Sequence, residues 1–379
     1  MARPTPILLM SRQLSYGGTE KQIAEVAKGL DRDRFEAHVG CFVSGGMRAD
    51  ELAAAGIPIV PFDVRSFKSP SAISAARQMG RYIRQKHIEI VHTFDVPTDV
   101  FGVFTAAAYK APFIISSQRA QRRLSDLRTR ALLRLTDKLA DRVVVNCNAV
   151  RRELVEQSKV PAARIRLVYN GIDIDIFNPG SRPRRPQLQN AGIVIGVLCA
   201  LRPEKGLDLL LQAFAKIAPE FPQATLAIIG SGPMEGKLKA LAKNLGIMDR
   251  CLFEPATIYV AEWLRSIDIF VLPSLAEALS NSIMEAMACG CSVIASDVGG
   301  NPELVLDGRT GLVFKSGNAD QLTQRIRLLV ENEELRKRLG ATSARFMREE
   351  FSNAVSLKNM QAVYDELLQP ASAACPCPQ

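Results

Sequence analysis

"DIFVLPSLAEALSNSIMEAMACGCSVIAS", residues 268–296, reads as strand, loop, helix and strand in immediate succession. The apolar runs at 268–274 and 291–296 lack polar alternation, as expected of strands covered on both faces. Ser280, Asn281 and Ser282 are all suitable helix caps, and Gly290 is a suitable stop just past Cys289. The stretch also keeps two acids, Glu277 and Glu285. On one uninterrupted helix they would lie roughly 80° apart, so Glu277 is better placed in the loop and Glu285 in the helix. An anion could then occupy the helix start, with a carboxylate on either side to accept from neutral hydroxyls. A sugar joined to a phosphate fits such a place. A purely structural alternative stays open, because Ser282 and Glu285 also have the spacing of a capping box.

The same alternation runs through the chain. Strand-like runs fall at 7–11, 37–43, 57–62, 88–93, 112–117, 142–146 and 165–169, then at 192–201, 224–230, 251–254, 268–274, 291–296 and 310–314. Helical patterns lie between most of them, which argues for α/β architecture with parallel sheets wound on both faces. "NPGSRPRRPQLQN", 178–190, has no apolar periodicity and reads as a linker. The expected organisation is a first domain at 1–177, a linker at 178–191, a second domain at 192–350, a C-terminal helix at 351–369 and a disordered tail at 370–379.

The 379 residues carry a net charge of +9, and its distribution is uneven. Residues 1–180 hold 27 Lys and Arg against 18 Asp and Glu, whereas 181–379 hold 21 of each. The excess points to an acidic partner for the first half. Eight scattered cysteines and three histidines, without paired CxxC spacing, give neither a zinc site nor a disulfide framework. Reduced thiols in a cytoplasmic protein are expected. No run approaches the ~18 apolar residues of a membrane span.

Ligands of doubly wound sheets sit at the carboxyl ends of the strands, and the loops there carry the chemistry. After the first strand, Gly17 and Gly18 permit close backbone approach, with Thr19 as a cap for a helix opening at Glu20. "LRPEKG" offers Arg202 and Lys205 to a phosphate, and "GSGP" supplies Gly230 and Gly232. "DVGGNPE" makes another glycine turn. Each loop alone is also an ordinary βα turn.

Together, "GGTE", "NGIDIDIF", "LRPEKG", "GSGP", "VLPSLAEALSNSIMEAMACG", "SDVGGNPELV" and "DGRTGLVF" resemble glycosyltransferase family 4, over about residues 7–365. The resemblance implies the GT-B fold: two doubly wound Rossmann-like domains facing a central cleft, with C-terminal helices crossing back to the first domain. It implies a retaining enzyme that moves a hexose-type sugar from a nucleotide sugar, a UDP-sugar being the expected donor, with no resident cofactor or metal. Glu285 matches the carboxylate on the ribose hydroxyls, and Glu277 the one on the transferred sugar. The peptide groups of Ala278, Leu279, Ser280, Asn281 and Ser282 would meet the diphosphate. Lys205, with Arg202, would neutralise its departing charge, and Gly17 and Gly18 would close over it. On this reading Glu277→Ala and Lys205→Ala abolish transfer and leave the melting temperature nearly unchanged. The sequence departs from the family at Ala200, where an arginine is usual, and at Ala278, where many members have glycine. Gln118 aligns where many carry a histidine; His92 and Asp95 are the candidates to line the site instead, a core histidine being the alternative. A DxD triplet, Asp173-Ile174-Asp175, lies in the interdomain motif and is not read as a metal site.

From Arg119 to Arg134 there are six arginines and one acid, Asp126, with Leu124, Leu127, Ala131 and Leu135 in a helical stripe. Either the stripe packs on its own sheet beneath a solvated basic face, or the segment meets an anionic membrane or a phosphate-bearing acceptor. Asp95, Gln118, Arg119, Arg122 and Arg123 are the residues expected on that side. The favoured acceptor is lipid-linked or a saccharide near the membrane, in surface polysaccharide or glycolipid synthesis, which places the protein in the cytoplasm or peripherally on the inner face of the plasma membrane. Nucleic acid is not an expected partner, for want of aromatics among the basic residues. A nucleotide-sugar epimerase and a catalytically silent nucleotide-binding scaffold are the competing functions.

Overall fold

The computed structural model describes residues 3–15, 17–122, 125–180 and 184–369. The tail at 370–379, together with Arg123, Leu124 and 181–183, lies outside them. The chain forms two units: residues up to Gly171 with the segment from Ala354 onward, and Ile172–Asn353. The described residues contain thirteen strands, one for each apolar run.

In unit 1 the strands are β1 (Thr5–Gln13), β2 (Phe35–Val43), β3 (Ile59–Pro61), β4 (Ile90–Thr93), β5 (Phe113–Gln118), β6 (Arg142–Val145) and β7 (Ile165–Leu167). They form one sheet in the order β3-β2-β1-β4-β5-β6-β7, and all pairings are parallel. Successive residues feed opposite cores. Ile7, Leu9, Ile90 and Ile115 join one apolar cluster, while Leu8, Met10, Val91 and Ile114 join another. Two-sided burial accounts for the unalternated apolar runs.

The first of those cores is completed from the far end of the chain. Helix Asn353–Leu368 contributes Met360, Val363, Tyr364 and Leu367, the spacing of one helical face. The expected return of the C-terminal helix to the first domain is therefore present. Glu366 fastens it: Arg142 Nη2 donates to Oε1 at 2.7 Å and Arg166 Nε donates to Oε2 at 2.7 Å.

Unit 2 contains β8 (Ile193–Leu198), β9 (Ala224–Ile229), β10 (Cys251–Glu254), β11 (Ile269–Leu272), β12 (Ser292–Ser296) and β13 (Leu312–Phe314). Their order is β10-β9-β8-β11-β12-β13, again parallel throughout. The segment 172–177, expected with the first domain, packs with unit 2, where Ile172 N donates to Phe351 O at 2.8 Å. The stretch read as a linker is also pinned to this unit in its described part. Arg184 Nη2 donates to Asp268 Oδ2 at 2.6 Å, Arg185 Nη1 to Glu262 Oε2 at 2.8 Å, and Leu188 is buried. Its arginines act as anchors, which a composition reading does not reveal. Among the described residues no helix is long and apolar enough to cross a membrane.

Hydrogen bonding to Arg166, then to Arg142, holds the Glu366 carboxyl down at about 2, against a usual value of 4.5. A lowered folded-state value stabilises above the unfolded value, and that contribution is lost as pH falls through the folded one. Glu366→Gln should therefore lower Tm by roughly 1–3 °C at neutral pH, a figure discounted for partial exposure. The gap between wild type and variant should close between pH ~4.5 and ~2, which thermal melts across that range would check.

Candidate functional site

The strand order of unit 2 reverses between β8 and β11, and at such a reversal the carboxyl-end loops part to leave a crevice. The loop after β8 carries Lys205 and the loop after β11 carries Glu277. The two side chains form an ion pair, with side-chain exposures of 17% and 11%. Ser274 Oγ donates to the same Glu277 oxygen at 2.9 Å. Sequence reasoning missed Ser274, although its position three residues before Glu277 in the loop was a readable signal.

Neighbouring loops hold this pair in place. Gly206 is left-handed, φ +60°, and a Cβ there would sit 2.5 Å from Pro273 O. Leu275 N donates to Glu204 O at 2.8 Å, joining the two loops directly. Behind Glu277, Gly299 is also left-handed, φ +57°, and a Cβ would stand 2.0 Å from Glu277 O. Gly300 N donates to Ala278 O at 2.6 Å. A Cβ at Gly230 would stand 1.9 Å from Cys199 O, and one at Gly232 2.4 Å from Leu201 O. These glycines shape the Lys205 loop from its other side.

Helix Asn281–Ala288 begins directly after this loop, with Ser280 as its cap; Ser280 Oγ accepts from Ile283 N at 3.4 Å. That register removes the capping-box reading. Ile283 occupies the third helical position, so Glu285 lies two residues beyond the place where a reciprocal side chain could reach back. Glu285 is half-buried and Leu279 is buried. The helix begins four residues after Glu277. Arg202 is exposed, its guanidinium making a long 3.8 Å contact to Glu204 Oε1. Asp173 Oδ1 accepts from Asp175 N and Ile176 N, at 3.0 and 3.1 Å, and so closes its own turn.

The first-unit candidates are placed differently. His92 is fully buried, hydrogen-bonded to Tyr364 Oη at 2.9 Å and Ser117 Oγ at 2.8 Å. Burial, with Arg119 adding to it, pushes its pKa down to about 3. A neutral, enclosed imidazole is a core histidine, and the site-lining expectation is corrected. Gln118 is buried too. Its Nε2 donates to Asp99 Oδ2 at 2.6 Å and its Oε1 accepts from Arg122 Nε at 3.1 Å. Arg122 is clamped by both oxygens of Asp137 at 2.6 Å, so neither Gln118 nor Arg122 faces an acceptor or a membrane. Desolvation drives the Asp99 carboxyl well above its usual range, against the hydrogen bond from Thr93.

Asp95 ties the end of β1 to the loop after β4: Arg12 N donates to its Oδ2 at 2.7 Å and Thr98 N to its Oδ1 at 2.9 Å. Arg119 is half-buried, bonded to Asn170 Oδ1 and lying 5.7 Å from the Phe94 ring centre; burial lowers its pKa to about 10. Gly17 precedes helix Gly18–Gly29 as its cap, so Thr19 lies within the helix and makes no cap.

Two family models match the chain in tandem: "Glycosyltransferase Family 4" over residues 16–176 and "Glycosyl transferases group 1" over residues 183–346. An uncharacterized glycosyltransferase of Methanocaldococcus jannaschii is 27% identical over 314 residues, 80% of this chain and 83% of that protein. The D-inositol 3-phosphate glycosyltransferase of Mycobacterium leprae is 29% identical over 322 residues, 81% of this chain and 69% of that protein. Among solved structures, Anabaena HepE in complex with UDP and glucose superposes with a TM-score of 0.81 at 20% identity, covering 95% of this chain and 99% of that one.

A pair as enclosed as Lys205 and Glu277 leaves an uncompensated charge when one partner is removed. The expectation of an unchanged melting temperature therefore does not hold for these residues. Lys205→Ala and Glu277→Ala should each cost about 1–3 kcal/mol. The double variant should cost less than the sum, with a coupling of about 1 kcal/mol or more in denaturant melts of all four proteins.

Proposed function

The chain belongs to the glycosyltransferases, family 4 in its first half and group 1 in its second, and we propose that it transfers a hexose-type sugar, with retention, from a UDP-sugar to a lipid-linked or membrane-proximal acceptor. Its two parallel-sheet units are those of the GT-B type. The observation that carries the reading is the Lys205–Glu277 pair at the strand-order reversal of unit 2, followed within a few residues by a capped helix start.

Each group has a task in that chemistry. The amides from Ala278 to Ser282, across the loop, cap and helix start, meet the diphosphate with their N–H dipoles. Lys205, with Arg202 at the rim, meets the negative charge that grows on the leaving phosphate oxygen. Preorganised charge of this kind is worth roughly 3 kcal/mol per strong contact, about a hundredfold in rate. Glu277 accepts from the hydroxyls of the transferred sugar and Glu285 from those of the ribose. The bond between anomeric carbon and phosphate oxygen breaks, and a bond to the acceptor oxygen forms on the same face. The acceptor's proton leaves with the diphosphate. Until donor arrives, Glu277 and Lys205 satisfy one another; the diphosphate then competes for the ammonium and releases carboxylate oxygens to the sugar.

No step needs a resident cofactor, and the nucleotide sugar is the co-substrate. The relative from Mycobacterium leprae is named a D-inositol 3-phosphate glycosyltransferase, and HepE was crystallised with UDP and glucose; the second supports a UDP-sugar donor. The basic excess of residues 1–180 supports an acceptor held at an anionic membrane. We assign the reaction to the cytoplasmic side of that membrane. The epimerase alternative needed further acid–base groups, and His92, the candidate from the first half, is buried and neutral.

Titration calorimetry with UDP, GDP and ADP tests this directly. UDP should bind most tightly, and Glu285→Ala should weaken it at least tenfold while leaving the fold intact. Failure of all three nucleotides at millimolar concentration would overturn the reading. Retention is read separately, from the anomeric coupling of the product by NMR.

A further inference from the structure

Helix Leu127–Leu139 is inside out. Its protein-facing side buries Leu133, Thr136 and Asp137, the last held by Arg122. Its outward side shows Leu127 at 76% exposure, Leu135 at 49%, Leu139 at 41% and Leu132 at 39%. Residues 127, 131, 135 and 139 follow one another at four-residue intervals, a stripe about 120° wide at ~100° per residue. Of the two readings of the stripe at Leu124, Leu127, Ala131 and Leu135, packing on its own sheet is not found for the last three, which are exposed; Leu124 lies outside the described residues. A surface helix ordinarily turns its leucines inward and its polar residues outward; here a threonine and a salt-bridged aspartate take the inner positions. Single exposed leucines are ordinary, but a contiguous stripe marks an interaction surface.

The charges around the stripe select its partner. Arg128, Arg134 and Lys138 are exposed on the same helix. Its capping acid, Asp126, is engaged by Thr129, whose N and Oγ1 both donate to it at 2.9 Å, and its buried acid, Asp137, by Arg122. We propose that this face docks on an anionic lipid surface, with the leucines entering the headgroup boundary and the cations reaching outward along it. Thirteen residues rise only about 20 Å, short of the ~30 Å hydrocarbon core, so the helix lies in the membrane plane. A symmetric contact between two copies would bring the same cations against one another, which disfavours self-association. The inference rests on the membrane placement proposed above and names the surface that makes it; docking itself needs no donor and no turnover.

Full-length protein should sediment with vesicles of equal parts phosphatidylglycerol and phosphatidylcholine at low salt, and much less with phosphatidylcholine alone. Leu135→Gln with Leu139→Gln should reduce the vesicle-bound fraction at least tenfold. Arg134→Ala with Lys138→Ala should remove most of the salt dependence. All four positions are exposed, and unchanged UDP calorimetry serves as the folding control. Equal binding to neutral vesicles, no binding to either, or a leucine-dependent dimer in ultracentrifugation without vesicle binding would each overturn the proposal. Protein that binds UDP but not vesicles defeats docking alone, and protein that binds vesicles but not nucleotide defeats the donor reading alone.

Discussion

A parallel sheet wound on both faces has to reverse its strand order once, and the reversal is the one place where its carboxyl edge cannot be closed by a continuous layer of loops. In unit 2 that place lies between β8 and β11, and an ammonium and a carboxylate meet across it. Neither could stand at such low exposure alone, since a charge withdrawn from water without a counter-charge is strongly destabilising. The pairing therefore constrains its surroundings. Gly206 and Gly299 are left-handed because only a residue without Cβ lets the adjoining loops close on Pro273 and Glu277. The desolvation of both charges is met during folding, so an arriving ligand finds them already at the crevice and exchanges partners with them.

The fold was legible because the signal was redundant. Central strands such as β8 and β11 are apolar on both faces, so the run itself marks them without reference to neighbours. The helix start in the decisive stretch was not legible, for a physical reason. Ser280, Asn281 and Ser282 have nearly equal capping preference, and local sequence cannot choose among them. The choice is made by a loop beyond the following strand, where Gly300 N takes Ala278 O and Gly299 presses on Glu277. With the chain held there, Ser280 is the residue that reaches Ile283 N. Two positions of register then decide whether Glu285 could be a capping partner or not.

First-unit candidates were misread for a related reason. A titratable residue near the end of a strand looks like a loop residue when only the order of residues is visible. His92 instead pairs in register with Leu9 and Ile115 inside the sheet. Side-chain parity holds the missing information: Ile90 lies in the core that Tyr364 completes and Val91 lies in the opposite one, which puts His92 with Ile90. Gln118 and Arg122 went astray differently. Their partners, Asp99 and Asp137, belong to other elements, and only the folded chain reveals that Arg122 is neutralised by Asp137.

Sorting the basic excess by partner changes what it means. Arg122 is spent on Asp137, Arg142 and Arg166 on Glu366, Arg34 on Asp365, and Arg119 on Asn170. These arginines fix β5, β6, β7 and the returning C-terminal helix, yet five of them meet only three carboxylates, so the pairing fixes positions without cancelling the net excess. What reaches solvent on helix Leu127–Leu139 is a smaller set, Arg128, Arg134 and Lys138, standing among leucines that the fold leaves uncovered. Net charge alone would have assigned the whole half to an acidic ligand. The coincidence of unspent cations with unburied leucines on one helix is a narrower condition, and a lipid surface satisfies both halves of it where a small anionic acceptor would satisfy only the first.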